Sequence, residues 1–351
     1  GHTRPVLWNW CFVQKYKGTY ILRFDDTDPR TKVPLKEAYK SIQQDLKWLG
    51  VKPHKIIIQS KRLNIYYKYA EQLIKQGNAY IDTLPAEQMR KMIWDQKISD
   101  EREESPTAVM QKWKKMFTHY KDGEAILRIK TNINHPNPSL RDWPAFRIIT
   151  KPKHPLVKAR VWPLLNFASA IDDHEFKITH IIRGIDLEIS DEKQKFIYDY
   201  FGWKYPETLY HGKFFISGIS STSEAIELIK EKKLTGWGDP RLGTIAALRK
   251  RGFQAQSIVN FIHGLGIGRS DFNVNISSLA ANNRGIIDKT SKRFFVVFNP
   301  KKIKINNAPK MKIKIQSHPD FPKMGYRIFN TADEFYVDEV FEPNKYYRFI
   351  D

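Results

Sequence analysis

Residues 23–30 read RFDDTDPR and place three carboxylates, Asp25, Asp26 and Asp28, between two guanidiniums, Arg23 and Arg30. Acid crowded where an apolar run (Tyr20, Ile21, Leu22, Phe24) meets Pro29 lies at a strand end ahead of a helix, where open α/β sheets bind ligands. Such a nest suits a cationic group, a ligand ammonium or Mg²⁺; it equally suits a loop whose acids cap the next helix or pair with the arginines. A second chemical feature is Arg183, followed by Gly184 at the end of the strand-like stretch 179–182 (Thr179, His180, Ile181, Ile182). An arginine at the C-terminal end of a central strand aims a carboxylate-matching fork at the same crevice. Two phosphate-suited pieces complete the set. Gly1 and His2 precede an apolar helix, and the hydroxyl-rich run Ile219, Ser220, Ser221, Thr222, Ser223 opens another. Capping is the alternative use of the second, and a terminal Gly-His by itself carries little information.

The elements that must position these groups follow from pattern. Residues 3–16 read as a buried helix leading into a strand at 19–24. Residues 35–49 read as an amphipathic helix with Leu35, Ala38, Ile42, Leu46 and Leu49 on one face, stopped by Gly50. A buried strand at 56–58 and a helix at 62–76, closed by Gly77, give strand–helix–strand–helix order and hence a parallel α/β sheet. Residues 84–122 are charged and helical, with a loop at 98–106, and 124–162 alternates short strands with proline-rich turns, as an inserted domain would. A strand at 179–183 and a helix at 191–201 restore the α/β pattern. Helices follow at 223–233, 240–251 and 254–265, the second starting at Pro240 in the WGDPR run. From about Phe294 the pattern turns to β, and the lysines of 301–315 alternate with isoleucines along one face, as a solvated face or a phosphate-tracking surface.

The chain has 351 residues, a net charge of +21 and one cysteine, Cys11. The charge favours a polyanion partner, nucleic acid ahead of a membrane surface. A lone cysteine excludes internal disulfides and a cysteine-rich zinc site, and fits a reducing compartment. No apolar stretch approaches the roughly 20 residues of a membrane span, so the sequence reads as soluble, intracellular and cytoplasmic.

Taken in order, Gly1-His2, RFDDTDP, HIIRG with Gln194, the STS run, GWGDPR and a β tail closely resemble the archaeal-type glutamyl-tRNA synthetases. These are class I enzymes of the subgroup shared with glutaminyl-tRNA synthetases. The resemblance extends to DLKWLG (45–50), RDWPAFRI (141–148), WPLLN (162–166) and RGIID (284–288). It implies a Rossmann-like catalytic domain in two halves (1–83 and 161–224) around an inserted acceptor-end domain (84–160). A helical domain (225–293) and the start of an anticodon-binding β-barrel (294–351) would follow.

It further implies ATP-dependent activation of L-glutamate and transfer to tRNA-Glu, leaving open whether tRNA-Gln is also charged, by a monomer using Mg²⁺ with ATP and no zinc or other protein-bound metal. Gly1 and His2 would be the end of the HIGH signature, and 219–223 would stand at the KMSKS signature, with its lysines replaced. Asp25 would receive the substrate ammonium and Arg183 its side-chain carboxylate, beside Leu165 where relatives place tyrosine. Asp239, Arg241 and Arg249 would meet tRNA. Arg183 separates the sister activities, because a glutamine enzyme would leave a buried arginine unpaired. Glutaminyl-tRNA synthetase, a non-catalytic tRNA-binding protein and a tRNA-modifying paralogue are the rival readings. Because the chain starts inside the HIGH signature and stops short of a full barrel, residues 1–351 alone are expected to be inactive.

Overall fold

Parallel strands need a crossover, and the first half of the chain supplies one in a short helix. The computed structural model describes residues 2–216, 222–338 and 341–347. Helix α1 (Thr3–Tyr16) leads to β1 (Ile21–Phe24), and α2 (Ala38–Trp48) carries the chain to β2 (Lys55–Ile58), parallel to β1 with Arg23 opposite Ile57. Helix α2 and the next helix, α3 (Leu63–Lys75), are followed by Gly50 and Gly77 at φ 80° and 76°, a left-handed backbone that glycine adopts without a Cβ clash.

Next come β3 (Ala79–Asp82), α4 (Ala86–Trp94), α5 (Pro106–Met116), β4 (Ile126–Ile129), β5 (Pro144–Ile148) and β6 (Val161–Pro163). The four strands form one antiparallel sheet in chain order. β3 and β6 therefore belong with the strands between them, and boundaries at 83/84 and 160/161 would cut through the sheet. Trp113, Trp143, Trp162, Phe146 and Phe167 bury the sheet's inner face against α5 and α6 (Leu165–Glu175).

After α6, β7 (His180–Gly184) and β8 (Glu207–His211) form a parallel pair joined through α7 (Glu188–Phe201). A third parallel pair joins β9 (Phe214–Ile216) to β10 (Phe272–Val274), with α8 (Thr222–Lys230), α9 (Ile245–Lys250) and α10 (Ala255–Gly264) between them in the chain. Helix α11 (Ile276–Ile287) follows. Leu7 of α1 shares a core with Leu46 and Val51 near α2 and with Leu248, Phe253, Ile262 and Leu279, so the N-terminal helix is held by segments some 250 residues away. Helix α9 starts five residues later than Pro240 suggested. Thr244 is its N-cap and accepts from the Ala247 N–H at 3.1 Å, while Asp239 folds the preceding segment into a turn.

The tail contains β11 (Lys301–Lys304), β12 (Lys312–Gln316), β13 (Tyr326–Asn330) and β14 (Glu334–Val337), paired antiparallel as β11–β14 and β12–β13. Lysines point outward and isoleucines inward as expected, but Lys302 and Lys304 are paired with Glu334 and Asp333. Residues 294–298, read as the opening of the β region, join no strand among the described residues and are mostly exposed.

Candidate active site

At the end of β1 the three acids diverge. Asp25 is exposed and accepts from Arg23 Nε at 2.7 Å. The same guanidinium reaches Asp173 at 2.5 Å and Ser169 Oγ at 3.1 Å, both on α6. Burial pulls the Arg23 guanidinium down, but Asp173 and Asp25 outweigh it and hold it well above its ordinary value. Asp26 turns inward, accepting from the Ser60 N–H (2.8 Å), Ser60 Oγ (2.7 Å) and Tyr39 Oη (2.6 Å), and so ties the loop after β1 to the loop after β2. Asp28 accepts from the Arg30 and Thr31 amides and pairs with Arg147 of β5 at 2.7 Å. With His154 Nε2 2.8 Å from the Asp26 carbonyl and Lys153 N–H on the Pro29 carbonyl, the loop is docked onto the four-stranded sheet unit. The three carboxylates share no point in space, and among the described residues no cluster of His, Cys, Asp or Glu is arranged to hold a metal.

Arg183 sits near the C-terminal end of β7, half-buried, and its Nη1 is ion-paired with Asp191, which is fully buried on α7. Asp191 also accepts from Tyr205 Oη (3.1 Å) and Tyr210 Oη (2.5 Å). Burial first, and the Asp191 charge with it, pushes both phenols far above their ordinary value, so they remain donors. One edge of the Arg183 fork is thus anchored. Among the described residues its other nitrogens have no hydrogen-bond partner. Asp173 lies within electrostatic reach of both Arg183 and Asp25.

Leu165 opens α6 and is 44 % exposed, on the helical stripe that carries Ser169, Asp172 and Asp173. Asp172 is fully buried and accepts from Arg62 and Tyr66, each at 2.8 Å. Sequence reasoning missed Asp173 and Asp191. A paired Asp-Asp in an otherwise apolar helix was the available signal for the first. The second gave none, because its partner lies on a different element.

His2 stands at the N-cap of α1 with an exposed side chain, and its carbonyl accepts from the Val6 N–H. Gly1, Ile219, Ser220 and Ser221 lie outside the described residues; Thr222 and Ser223 begin α8, with their side chains likewise outside the description. Asp239 is buried, with both oxygens occupied by the Arg241 guanidinium (2.9 Å twice) and the Thr235 and Arg241 amides, and those bonds, Arg241 first, hold its carboxyl far below the usual range. It shapes a turn, and the outward groups there are Arg241 and Arg249, the latter over the Trp48 ring at 5.9 Å.

Parallel strand pairs with charged groups at their C-terminal ends, with an antiparallel sheet between them in the chain, suit the catalytic core of a class I synthetase. The chain belongs to this class: residues 1–289 match the family described as tRNA synthetases class I (E and Q), catalytic domain, and residues 291–346 match the anti-codon binding domain of the same family. It is similar to proteins named glutamate–tRNA ligase, at 47 % identity in Pyrococcus furiosus (97 % of this chain, 60 % of that one) and 43 % in Methanosarcina mazei (96 % and 60 %). The chain thus spans about 60 % of the length of these curated relatives. In fold it resembles the solved glutamate tRNA ligase from Elizabethkingia meningosepticum in complex with its amino acid, with a TM-score of 0.58 at 20 % identity, over 83 % of this chain and 67 % of that one.

Proposed function

We propose that the chain carries the amino-acid-activating core of a glutamate–tRNA ligase. The α-carboxylate of L-glutamate attacks the α-phosphorus of ATP and pyrophosphate leaves. A hydroxyl at the 3′ end of tRNA-Glu then takes the glutamyl group and releases AMP. Neither step needs a covalent enzyme nucleophile, so catalysis rests on positioning and charge. Asp25, anchored through one oxygen by Arg23, has its other oxygen for the substrate ammonium. Arg183, anchored on one edge by Asp191, has the rest of its fork for the side-chain carboxylate. We assign the ATP phosphates to His2 at the start of α1 and, from the sequence resemblance, to the hydroxyls of Ser221 and Ser223. ATP brings Mg²⁺ as part of the substrate. The +21 charge and the match to an anticodon-binding family model support a tRNA partner, met by Arg241 and Arg249. A cytoplasmic monomer completes the reading.

The observation that carries this is the pairing of an exposed carboxylate and a half-free guanidinium around buried Asp173. In the intact enzyme, the Arg183→Ala variant should lose glutamate-dependent ATP–pyrophosphate exchange far more than ATP binding, and near-wild-type exchange would overturn the assignment. Charging assays with tRNA-Glu and tRNA-Gln then fix the acceptor range.

A further inference from the structure

Arg4 is completely buried, yet no carboxylate pairs with it among the described residues. Its Nη1 donates to the Gly212 carbonyl at 2.8 Å. Its Nη2 donates to the Gly266 carbonyl at 2.9 Å and reaches Gly268 O at 3.5 Å, and the guanidinium lies over the Phe272 ring at 4.9 Å. Burying an uncompensated charge is costly, so a residue needed only to fill space here would be apolar. What the planar fork adds is a fixed relation among three carbonyls from two distant segments.

Those segments are already zipped together. The Gly212 N–H donates to the Gly268 carbonyl at 2.8 Å, and a Cβ on Gly212 would land on the Ser270 carbonyl, so only glycine lets the two backbones meet. Two residues further on, β9 begins its pairing with β10. One and a half turns along α1, Asn9 Nδ2 donates to the Ile182 carbonyl at 2.9 Å, immediately before Arg183. Helix α1 is therefore pinned at its first turn to the β8–β9 connection and at its middle to β7.

Resting on the function proposed above, we infer that Arg4 is a positioning residue that sets the His2 end of α1 against the β8–β9 connection, and so the ATP-phosphate end of the site against the Arg183 end. It touches neither substrate. Its loss therefore shifts reacting groups relative to one another without removing a binding group, an error that can cost about 100-fold in rate.

The test uses Arg4→Met and Arg4→Lys in the intact enzyme. In glutamate-dependent pyrophosphate exchange, Arg4→Met should lower kcat about 100-fold while KM for glutamate stays within about threefold. Arg4→Lys keeps the charge without the fork, and should recover folding stability more fully than kcat. A kcat within about threefold of wild type in Arg4→Met, or a glutamate KM that rises as far as kcat falls, overturns the inference. Hydrogen exchange gives a readout independent of activity. In Arg4→Lys, the Gly212 and Phe272 amides should exchange at least about tenfold faster while those of β1 and β2 are unchanged; equal rates overturn the inference even if Arg4→Met fails to fold. Intact wild-type enzyme without glutamate-dependent exchange would instead defeat the proposed function, and the amide rates alone would then decide whether Arg4 holds α1 in place.

Discussion

Asp25 is held by Arg23 through a single 2.7 Å bond from Nε, and the same guanidinium neutralises Asp173, buried on α6, at 2.5 Å. The exposed acid that would receive a substrate ammonium is thus oriented by a charge pair anchored in the core. Removing Arg23 strands Asp173 as an unpaired buried charge. Arg23→Met should therefore destabilise the protein by about 3–5 kcal/mol in denaturant unfolding; a loss below about 1 kcal/mol would show that Asp173 needs no partner.

Asp191 does for Arg183 what Arg23 does for Asp25. Asp191→Asn removes the charge that anchors one edge of the fork and leaves two tyrosine hydroxyls with a weaker acceptor. The kcat/KM for glutamate should fall about tenfold or more, with KM for ATP within about twofold. Equal losses for both substrates would mean that Asp191 supports the fold and not the fork.

Two glycines should respond differently to alanine. At Gly212 the added methyl meets the Ser270 backbone, which cannot swing aside, and Gly212→Ala should cost about 3 kcal/mol. At Gly184 it meets the end of the exposed Asp186 side chain, which can rotate away, and Gly184→Ala should cost about 1 kcal/mol. Unfolding midpoints of the two variants compare them directly, and the reverse order would contradict both contacts.

Asp26 is the hub of its loop, filled by Ser60, Tyr39 and the approach of His154. Asp26→Ala leaves buried donors without an acceptor and should cost about 3 kcal/mol. Asp26→Asn retains one acceptor oxygen and should cost clearly less. Matching losses, measured by thermal unfolding, would mean that shape alone matters there.

His211 sets a pH dependence. Burial pushes its imidazole below the ordinary 6.5, and its Nδ1 lies 2.9 Å from the Gly212 carbonyl, so that nitrogen carries the proton of the neutral ring. The unfolded chain takes up the second proton first, so this stability is present above about 6.5 and is lost as pH falls toward the folded-state value. The thermal midpoint should drop between about pH 7 and pH 5.5, and His211→Asn should flatten part of that drop. An unchanged slope in the variant would remove His211 as its source.

Much of the fold was legible because its signals are local. Gly50 and Gly77 end helices by backbone conformation, the β-branched isoleucines at 56–58 make a strand although only Ile57 of them is buried, and the order of RFDDTDP, HIIRG and GWGDPR named the family that the comparisons then matched. The start of α9 was misplaced because a proline at a helix edge was weighed above a threonine cap four residues downstream. The single sheet that β3 and β6 make with the strands between them was not legible, because strands declare their membership only by pairing.

RFDDTDPR and HIIRG by themselves determined that a cluster of carboxylates and an arginine stand at the ends of apolar runs, since charge and order are properties of the chain. Only the tertiary structure decided what each acid does. Asp25 faces outward on Arg23, Asp26 joins two strand ends, Asp28 docks on Arg147, and Asp173 and Asp191 hold the two arginines. The reason is physical. A carboxylate's role is set by the donors within about 3 Å of it, and here several of those donors lie a hundred or more residues away.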